Sequence, residues 1–125
     1  MSVRGIGVDI CKVERIAESL QRFGERMEKR LFTPDELAYC RGHKDPMPHL
    51  AARFAAKESV MKALGRGIGA MAFTDIEVRS GVSGAPRPML SGRAQQCASE
   101  LGVRGWHLSL THTASLAQAV AVASG

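Results

Sequence analysis

The strongest helical segment of the chain is LAARFAAKESVMKAL, residues 50–64. At about 100° per residue, four apolar side chains form a stripe along one side of this helix: Leu50, Phe54, Met61 and Leu64. Gly65 follows directly, and glycine is the residue most favoured just beyond a helix end. We therefore predict a helix over residues 50–64.

Charged residues lie on or beside this apolar stripe. Lys57 falls inside it and Glu58 at its edge, and Arg53 and Lys57 share a face, as do Glu58 and Lys62. A Lys57 side chain that reaches past its apolar neighbours to water, with a surface pair between Glu58 and Lys62, would explain the pattern. A functional face on this helix would explain it equally well.

The remaining elements follow from apolar periodicity, glycine and proline positions, and capping residues. They are strand Val3–Ile10, helix Lys12–Lys29, a helix that starts at Thr33-Pro34-Asp35-Glu36 and ends near Arg41-Gly42, a loop over Asp45–Pro48, a flexible connection with Gly65, Gly67 and Gly69, strand Phe73–Arg79, a turn-rich segment Gly81–Pro88, a short strand at Met89-Leu90, helix Gly92–Leu101, and strands Trp106–Leu110 and Ser115–Val122 on either side of Thr111-His112-Thr113. No repeat or composition break divides the chain, so we predict one small α+β domain over residues 1–125.

The helix predicted over Lys12–Lys29 has two distinct faces. Its apolar face contains Val13, Ile16, Ala17, Leu20, Phe23 and Met27. Arg15, Arg22 and Arg26 lie together on the opposite face, which a solvated surface alone would explain.

Composition indicates an ordinary globular protein. Of the 125 residues, 45% are hydrophobic and 23% charged, which excludes a disordered chain. The net charge of +5 either keeps the protein soluble or favours an anionic partner such as a phosphate ligand, nucleic acid or an acidic protein.

Cysteines and apolar runs bear on the cellular location. Cys11, Cys40 and Cys97 are widely spaced and form no CxxC pair, which favours a reducing compartment. No stretch has the length of a membrane span, and the N-terminus lacks the apolar region of a signal peptide. We predict a cytoplasmic protein with no membrane contact.

Two further positions stand out. Asp9 places a carboxylate at the end of an apolar strand, where it could hold a ligand or could cap the following helix. His112 lies between Thr111 and Thr113, where it could bind phosphate or could belong to a hydrogen-bonded turn.

Together these residues suggest a chemistry. Asp9 and Glu58 are hard oxygen ligands in a number that suits Mg²⁺ completed by water and substrate phosphates. Four basic residues could hold a polyphosphate near that ion: Arg53, Lys57, Lys62 and His112. The pattern indicates a nucleotide or pyrophosphate ligand, whose leaving phosphate the metal would stabilise.

The same residues resemble a known family, the holo-acyl-carrier-protein synthases, which are the small bacterial class of 4′-phosphopantetheinyl transferases. The resemblance covers nearly the whole chain, and the ordered set of short motifs is specific even though each motif alone is weak. It rests on Gly5-Ile6-Gly7-Val8-Asp9-Ile10, Ala52-Arg53-Phe54-Ala55-Ala56-Lys57-Glu58, Lys62-Ala63-Leu64-Gly65, Asp75-Ile76-Glu77-Val78, Gly84-Ala85-Pro86 and Ser109-Leu110-Thr111-His112-Thr113.

The resemblance implies a fold, a reaction and an assembly. The fold would be an antiparallel sheet packed against a long central helix. The reaction would be Mg²⁺-dependent transfer of the 4′-phosphopantetheine arm of coenzyme A to a serine of apo-acyl carrier protein, with release of adenosine 3′,5′-bisphosphate, in support of fatty acid biosynthesis. The assembly would be a homotrimer with its sites at subunit interfaces.

The resemblance also implies roles for single residues. Asp9 and Glu58 correspond to the metal ligands. Glu58 would help to deprotonate the serine, directly or through a metal-bound water, and Lys62 would neutralise the leaving phosphate; with Asp9 they form the catalytic set. Coenzyme A would be held by Arg53, Lys57, Lys62, Gly65, Thr111 and His112. Arg15 corresponds to a carrier-binding arginine, and Arg22 and Arg26 join it by helix face.

Two other functions are weighed against this one. The positive charge would suit a nucleic-acid-binding module, but the chain has neither a platform of aromatic residues nor a basic run. A catalytically silent binder of coenzyme A or carrier protein is disfavoured by the presence of Asp9, Glu58 and Lys62. We therefore predict an enzyme that does not bind nucleic acid.

Overall fold

The computed structural model describes residues 2–67, 69–81 and 83–125 and has the predicted α+β architecture. Its elements are β1 (Val3–Lys12), α1 (Val13–Leu31), α2 (Pro34–Arg41), α3 (Met47–Ala63), a 3-10 turn (Phe73–Asp75), β2 (Ile76–Ser80), β3 (Pro86–Leu90), α4 (Gly92–Glu100), β4 (Gly105–His112) and β5 (Leu116–Ser124). Ile68, in the predicted glycine connection, and Val82, in the predicted turn, lie outside the described residues, as does Met1.

Most predicted elements are confirmed, and the errors lie at their ends. The central helix α3 begins at Met47, so the predicted loop over Asp45–Pro48 is wrong at its last two residues. Pro48 lies in the first turn, where a missing N–H costs no helical hydrogen bond. Asp45 Oδ1 accepts a hydrogen bond of 3.2 Å from the Met47 N–H.

Three other ends differ in the same way. The first three residues of the strand predicted over Phe73–Arg79 form the 3-10 turn, and β2 begins only at Ile76. Strand β3 begins at Pro86, inside the segment predicted as turn. Thr111 and His112 extend β4, so the reversal before β5 is limited to residues 113–115.

A three-stranded antiparallel sheet in the order β1-β5-β4 packs on α3, and β2 and β3 form a separate antiparallel pair. The layer between α3 and the sheet is built from alanine. It contains Ala51, Ala52, Ala55 and Ala56 of α3, and Ala117, Ala119, Ala121 and Ala123 of β5, all of them buried. Such small side chains allow the helix axis to lie close to the strands.

Two glycines of β1 bring this strand against α3. A Cβ atom on Gly5 would overlap the Ala63 carbonyl oxygen, and one on Gly7 would overlap the Ser59 carbonyl oxygen. Because side chains alternate along a strand, Asp9 lies on the same, helix-facing side as these glycines. The Gly5-Ile6-Gly7 motif therefore sets the distance between β1 and α3.

Helix α1 does not keep one straight apolar face. Val13, Ile16 and Leu20 are buried as predicted, but Phe23 is exposed. Gly24 has φ 66° and ψ −150°, which interrupts the helix directly after Phe23. The face rotates at this kink, and for that reason the regular period fails to predict the position of Phe23.

Within the described ranges, no helix is both long and apolar enough to cross a membrane.

Candidate active site

Asp9, Glu58 and Lys62 meet where β1 crosses α3. Lys62 Nζ donates hydrogen bonds of 3.0 Å to Asp9 Oδ1 and 3.0 Å to the Val8 carbonyl oxygen. The Asp9 side chain is 13% exposed and that of Lys62 is 53% exposed. Among the ion pairs of the described residues, Lys62 pairs with Asp9 and not with Glu58, so the surface pair expected along α3 is not formed.

The interpretation of Asp9 as a helix cap is also wrong. Lys12 is the N-cap of α1, and no side chain caps that end of the helix. Asp9 lies within the strand and points towards α3, where its carboxylate accepts a hydrogen bond from Lys62.

Burial raises the pKa of Glu58 above its ordinary value, and the negative charge of Asp9 raises it further, while Lys62 lowers it. The negative charge of Asp9 therefore opposes the ionisation of Glu58. A cation between them would relieve this repulsion and favour the ionised form of both.

The donors at this position suit a hard metal ion. Burial, followed by the charges of Asp9 and Glu58, raises the pKa of the neighbouring Cys11 thiol to about 11, so it is not a thiolate at neutral pH. No group of three His, Cys, Asp or Glu side chains arranged as metal ligands occurs among the described residues. Two carboxylates with open positions fit Mg²⁺, which keeps several waters and binds phosphate oxygens.

A cleft of about 370 Å³ adjoins the two carboxylates. Its walls include Asp9, Glu58 and Phe54, and Arg15 of α1. One of the three arginines predicted to meet a carrier protein thus opens onto the same cleft as the predicted catalytic residues.

Lys57 corrects the sequence prediction. It is fully buried, and its Nζ donates to Glu36 Oε1 at 2.7 Å and to the carbonyl oxygens of Phe73 at 3.0 Å and Ile76 at 2.6 Å. All three ammonium donors are used inside the chain, so Lys57 neither reaches water nor has a donor free for a phosphate. The prediction that it binds coenzyme A is wrong.

Glu36 completes this buried network. It accepts hydrogen bonds from the backbone N–H of Thr33 at 2.9 Å and of Val78 at 2.8 Å. Burial lowers the pKa of Lys57 despite the opposing effect of the Glu36 charge. The network joins α2, α3 and β2 and has a structural role.

Arg53 and His112 lie near each other at the N-terminal end of α3. Arg53 is only 5% exposed, its guanidinium carbon lies 4.2 Å from the centre of the Tyr39 ring, and its Nε has no hydrogen-bond partner among the described residues. The His112 ring lies 4.8 Å from that of His49, which lies 3.6 Å from that of His43.

His43 and His49 were missed by the sequence analysis. Each stands one helical turn from a member of the same group, since His43 follows Tyr39 by four residues and Arg53 follows His49 by four. That spacing was the available signal. It becomes informative only once α2 and α3 are known to meet.

The other predicted coenzyme A residues are exposed but lie apart. Thr111 belongs to β4, opposite Gln118 of β5, and alternation places it on the sheet face opposite to α3. Gly65 has φ 71° just after α3, a left-handed conformation that favours glycine.

A single chain keeps the two groups of predicted site residues apart. Asp9 lies on β1 and His112 on β4, with β5 between them, which is about 10 Å across the sheet. Arg53 and Glu58 differ by five residues and so point about 140° apart around α3.

Arg22 and Arg26 are exposed on α1 and do not line the Asp9 cleft itself, although Met27 lines both that cleft and the groove beside these arginines. With Phe23, Met27 and Arg30 they line a surface groove of about 530 Å³. The Arg22 guanidinium lies 5.3 Å from the centre of the exposed Phe23 ring. The groove therefore combines positive charge with apolar surface.

Known proteins resemble this chain in sequence and in structure. The family model described as the 4′-phosphopantetheinyl transferase superfamily matches residues 5–120. The holo-acyl-carrier-protein synthase of Koribacter versatilis is 45% identical over 94% of both chains, and that of Streptomyces avermitilis is 45% identical over 100% of both.

Solved structures agree with these relatives. The holo-acyl-carrier-protein synthase of Neisseria meningitidis superposes with a TM-score of 0.89 at 33% identity, covering 99% of this chain and 100% of its own. The Helicobacter pylori synthase in complex with coenzyme A gives 0.84 at 32% identity, covering 95% and 99%. The chain belongs to the 4′-phosphopantetheinyl transferase superfamily and, within it, to the holo-acyl-carrier-protein synthases.

Proposed function

We propose that the protein, acting as one domain over residues 1–125, transfers the 4′-phosphopantetheine group of coenzyme A to a serine of apo-acyl carrier protein. Adenosine 3′,5′-bisphosphate is the second product. The observation that carries the proposal is the meeting of Asp9, Glu58 and Lys62 beside a cleft. The Helicobacter pylori relative holds coenzyme A in its crystal structure.

The reaction makes two demands that these residues meet. The serine oxygen forms a bond to the phosphorus that carries pantetheine and must lose its proton, while the bridging bond of the pyrophosphate breaks and leaves charge on the departing phosphate. Of the two carboxylates, Asp9 is paired with Lys62, whereas Glu58 forms no ion pair among the described residues and would accept the proton directly or through a metal-bound water. Lys62 has one donor beyond its two hydrogen bonds and neutralises the departing phosphate.

Asp9 and Glu58 would hold Mg²⁺. When bound, the ion supplies positive charge that grips the pyrophosphate and stabilises the phosphate as it leaves. The mutual repulsion of the two carboxylates and their hard oxygen donors support this assignment. Chelation of divalent ions should abolish transfer, and added Mg²⁺ should restore it.

Coenzyme A would be bound by Arg53, Lys62, Gly65, Thr111 and His112. The best-supported member is Arg53, because a buried guanidinium nitrogen without a partner is costly and a phosphate oxygen would satisfy it. Lys57 is omitted because its donors are fully used.

A homotrimer would bring the two groups of site residues together. Ile6, Val8 and Ile10 point away from α3 on β1 and are 67%, 52% and 60% exposed, an apolar row at the edge of the sheet. If a second copy covers this row, His112 of one subunit can approach Asp9 and Glu58 of the next. Light scattering should report a trimer, and Val8→Asp should yield monomers with little activity; a fully active monomer would contradict the arrangement.

The acidic carrier protein would dock on Arg15, Arg22 and Arg26. The groove beside Phe23 offers both charge and apolar surface to an acidic amphipathic helix. Arg15→Glu should raise KM for the carrier about tenfold and leave KM for coenzyme A nearly unchanged. Arg87→Glu, an exposed arginine of β3, is the matched control; equal effects on both substrates would contradict docking through Arg15.

The cellular role follows from this activity. Carrier proteins with a phosphopantetheine arm serve fatty acid biosynthesis, which is the pathway proposed here. The three cysteines, Cys11, Cys40 and Cys97, are all free thiols, and this supports placement in the reducing cytoplasm.

The decisive experiment incubates the protein with coenzyme A, Mg²⁺ and apo-acyl carrier protein and measures the mass of the carrier. We expect the carrier to gain one phosphopantetheine. A carrier that gains no mass but binds the protein would indicate a silent binder. No carrier binding, with tight nucleic acid binding at physiological salt, would indicate the nucleic-acid module instead.

A further inference from the structure

Three imidazole rings and one arginine form a compact group at the N-terminal end of α3. The rings of His43 and His49 stack with centres 3.6 Å apart, and the His112 ring meets His49 edge-on at 4.8 Å. The ring centres of Tyr39 and His43 are 4.9 Å apart, and the guanidinium carbon of Arg53 lies 4.2 Å from the centre of the Tyr39 ring. Three elements, α2, α3 and β4, thus contribute to one group together with the connection that carries His43.

The tautomer of His43 follows from its hydrogen bond. Its Nδ1 lies 3.0 Å from the Tyr39 carbonyl oxygen. A carbonyl oxygen can only accept, so Nδ1 carries a proton and Nε2 is the ring nitrogen available to a ligand. When both nitrogens are protonated, Nε2 becomes a donor suited to an anion.

The charges around His49 are almost all of one sign. Burial lowers the pKa of His49, and the neighbouring His43, His112 and Arg53 lower it further, whereas Asp45 alone raises it. His49 is therefore neutral at neutral pH in the free protein. A second proton on this group is unfavourable unless an anion arrives with it.

Arg53 brings a buried hydrogen-bond donor without an acceptor to the group. Arg53 is only 5% exposed, yet its Nε donates to nothing among the described residues. A buried, charged donor without an acceptor costs free energy that an anionic oxygen recovers. Stacking on Tyr39 holds the guanidinium plane in place but supplies no such acceptor.

We propose that His43 and His49 join Arg53 and His112 in binding a phosphate group of coenzyme A, and that this binding takes up a proton on the histidine pair. The proposal rests on the proposed function, since that function makes coenzyme A the ligand. It adds His43 and His49 to the binding residues and makes the affinity for coenzyme A depend on pH.

The direction of the pH dependence follows from linkage. A bound phosphate favours the charged imidazole and so raises the pKa of His49 above its lowered value in the free protein. Coenzyme A therefore binds most tightly below the pKa of the free protein. The additional affinity is lost as the pH rises through the higher pKa of the complex.

Calorimetry with the full-length protein tests this directly. Coenzyme A is titrated in two buffers of different ionisation enthalpy at about pH 6.5, which yields the protons taken up on binding. We expect uptake of up to about one proton per site in the wild type, and affinity that weakens about tenfold between pH 6 and pH 8. His49→Phe keeps the aromatic stack and should lose most of both effects.

A matched control uses the fourth histidine. His107 is exposed on β4 and faces away from α3, so His107→Gln should retain proton uptake. Because the phosphates of coenzyme A titrate as well, the difference between the wild type and His49→Phe is the decisive quantity. Dephospho-coenzyme A lacks the ribose phosphate but keeps the pyrophosphate. If proton uptake is lost when this compound replaces coenzyme A, the histidines bind the ribose phosphate.

Other outcomes separate this inference from the proposed function. Tight coenzyme A binding with no proton uptake, or equal uptake in His49→Phe, would overturn the role of the histidines and leave the transferase assignment intact. If coenzyme A fails to bind, inorganic pyrophosphate is titrated in its place. If pyrophosphate binds with proton uptake and His49→Phe removes that uptake, the phosphate site is supported although the proposed function is not. If pyrophosphate shows no proton-linked binding, both the phosphate site and the proposed function are overturned.

Discussion

Two lysines five residues apart on α3 differ in burial and in the number of hydrogen-bond donors that they leave unused. Lys57 is fully buried, and its three donors are matched by Glu36 and two carbonyl oxygens. The Lys62 side chain is 53% exposed, and among the described residues it donates to Asp9 and the Val8 carbonyl oxygen alone. The region around Lys57 is closed and structural, whereas the region around Lys62 is open and has a donor to offer. The number of unused donors, rather than residue type, separates a structural lysine from a catalytic one.

The two regions should also differ in the free energy that they contribute. Breaking a buried ion pair leaves a charge in a medium that solvates it poorly, while breaking an exposed pair returns both groups to water. Variants in the closed region should therefore alter stability, and variants in the open region should alter the rate of transfer.

The largest expected effect is that of Lys57→Met on stability. The free energy of unfolding should fall by about 3–5 kcal/mol, because Glu36 remains buried without its cation. Thermal unfolding would show this as a Tm lower by roughly 10 °C or more. The double variant Lys57→Met with Glu36→Gln should regain part of the loss, and a loss below about 1 kcal/mol would refute the structural role.

Glu58→Gln should have the next largest effect, and on rate alone. The amide has nearly the shape of the carboxylate but accepts no proton, so kcat should fall by about 10²–10⁴-fold. Carrier modification followed by mass spectrometry gives the rate, and the unfolding curve of the same sample serves as control. Near-normal turnover would remove Glu58 from the mechanism.

Lys62→Gln should have the smallest effect of the three. Its pair with Asp9 is only partly exposed, but it contributes less to stability than the fully buried pair of Lys57 and Glu36. Loss of its charge should nevertheless lower kcat by about 10²-fold, since the departing phosphate loses a cation. A Tm that falls as far as that of Lys57→Met would erase the distinction between the two lysines.

Local signals in the sequence predicted much of this fold. Thr33 and Glu36 form the predicted capping box, and both hydrogen bonds of that box are present. The second role of Glu36 could not be predicted, because Lys57 lies 21 residues away and only packing of α2 on α3 brings the two together. The sequence correctly placed Lys57 in the apolar stripe, but periodicity does not reveal what the stripe faces.

The sequence likewise predicted one part of the candidate site and missed another. Motif order located Asp9, Glu58 and Lys62, because these belong to short segments whose spacing is visible in the chain. The histidine group was missed since His43, His49 and His112 come from three places that only the fold unites. The kink at Gly24 likewise moved Phe23 to the surface, where a helical wheel would bury it.

The glycines of β1 affect how the activity of variants of this enzyme should be interpreted. Gly5 and Gly7 touch no substrate in the proposed reaction, yet any side chain there would push the strand off the backbone of α3. Asp9 belongs to the same strand, so its carboxylate would move away from Glu58 and Lys62. A variant at Gly7 could therefore look like a catalytic mutant in an activity screen, although it removes no reactive group and changes only the spacing between two layers.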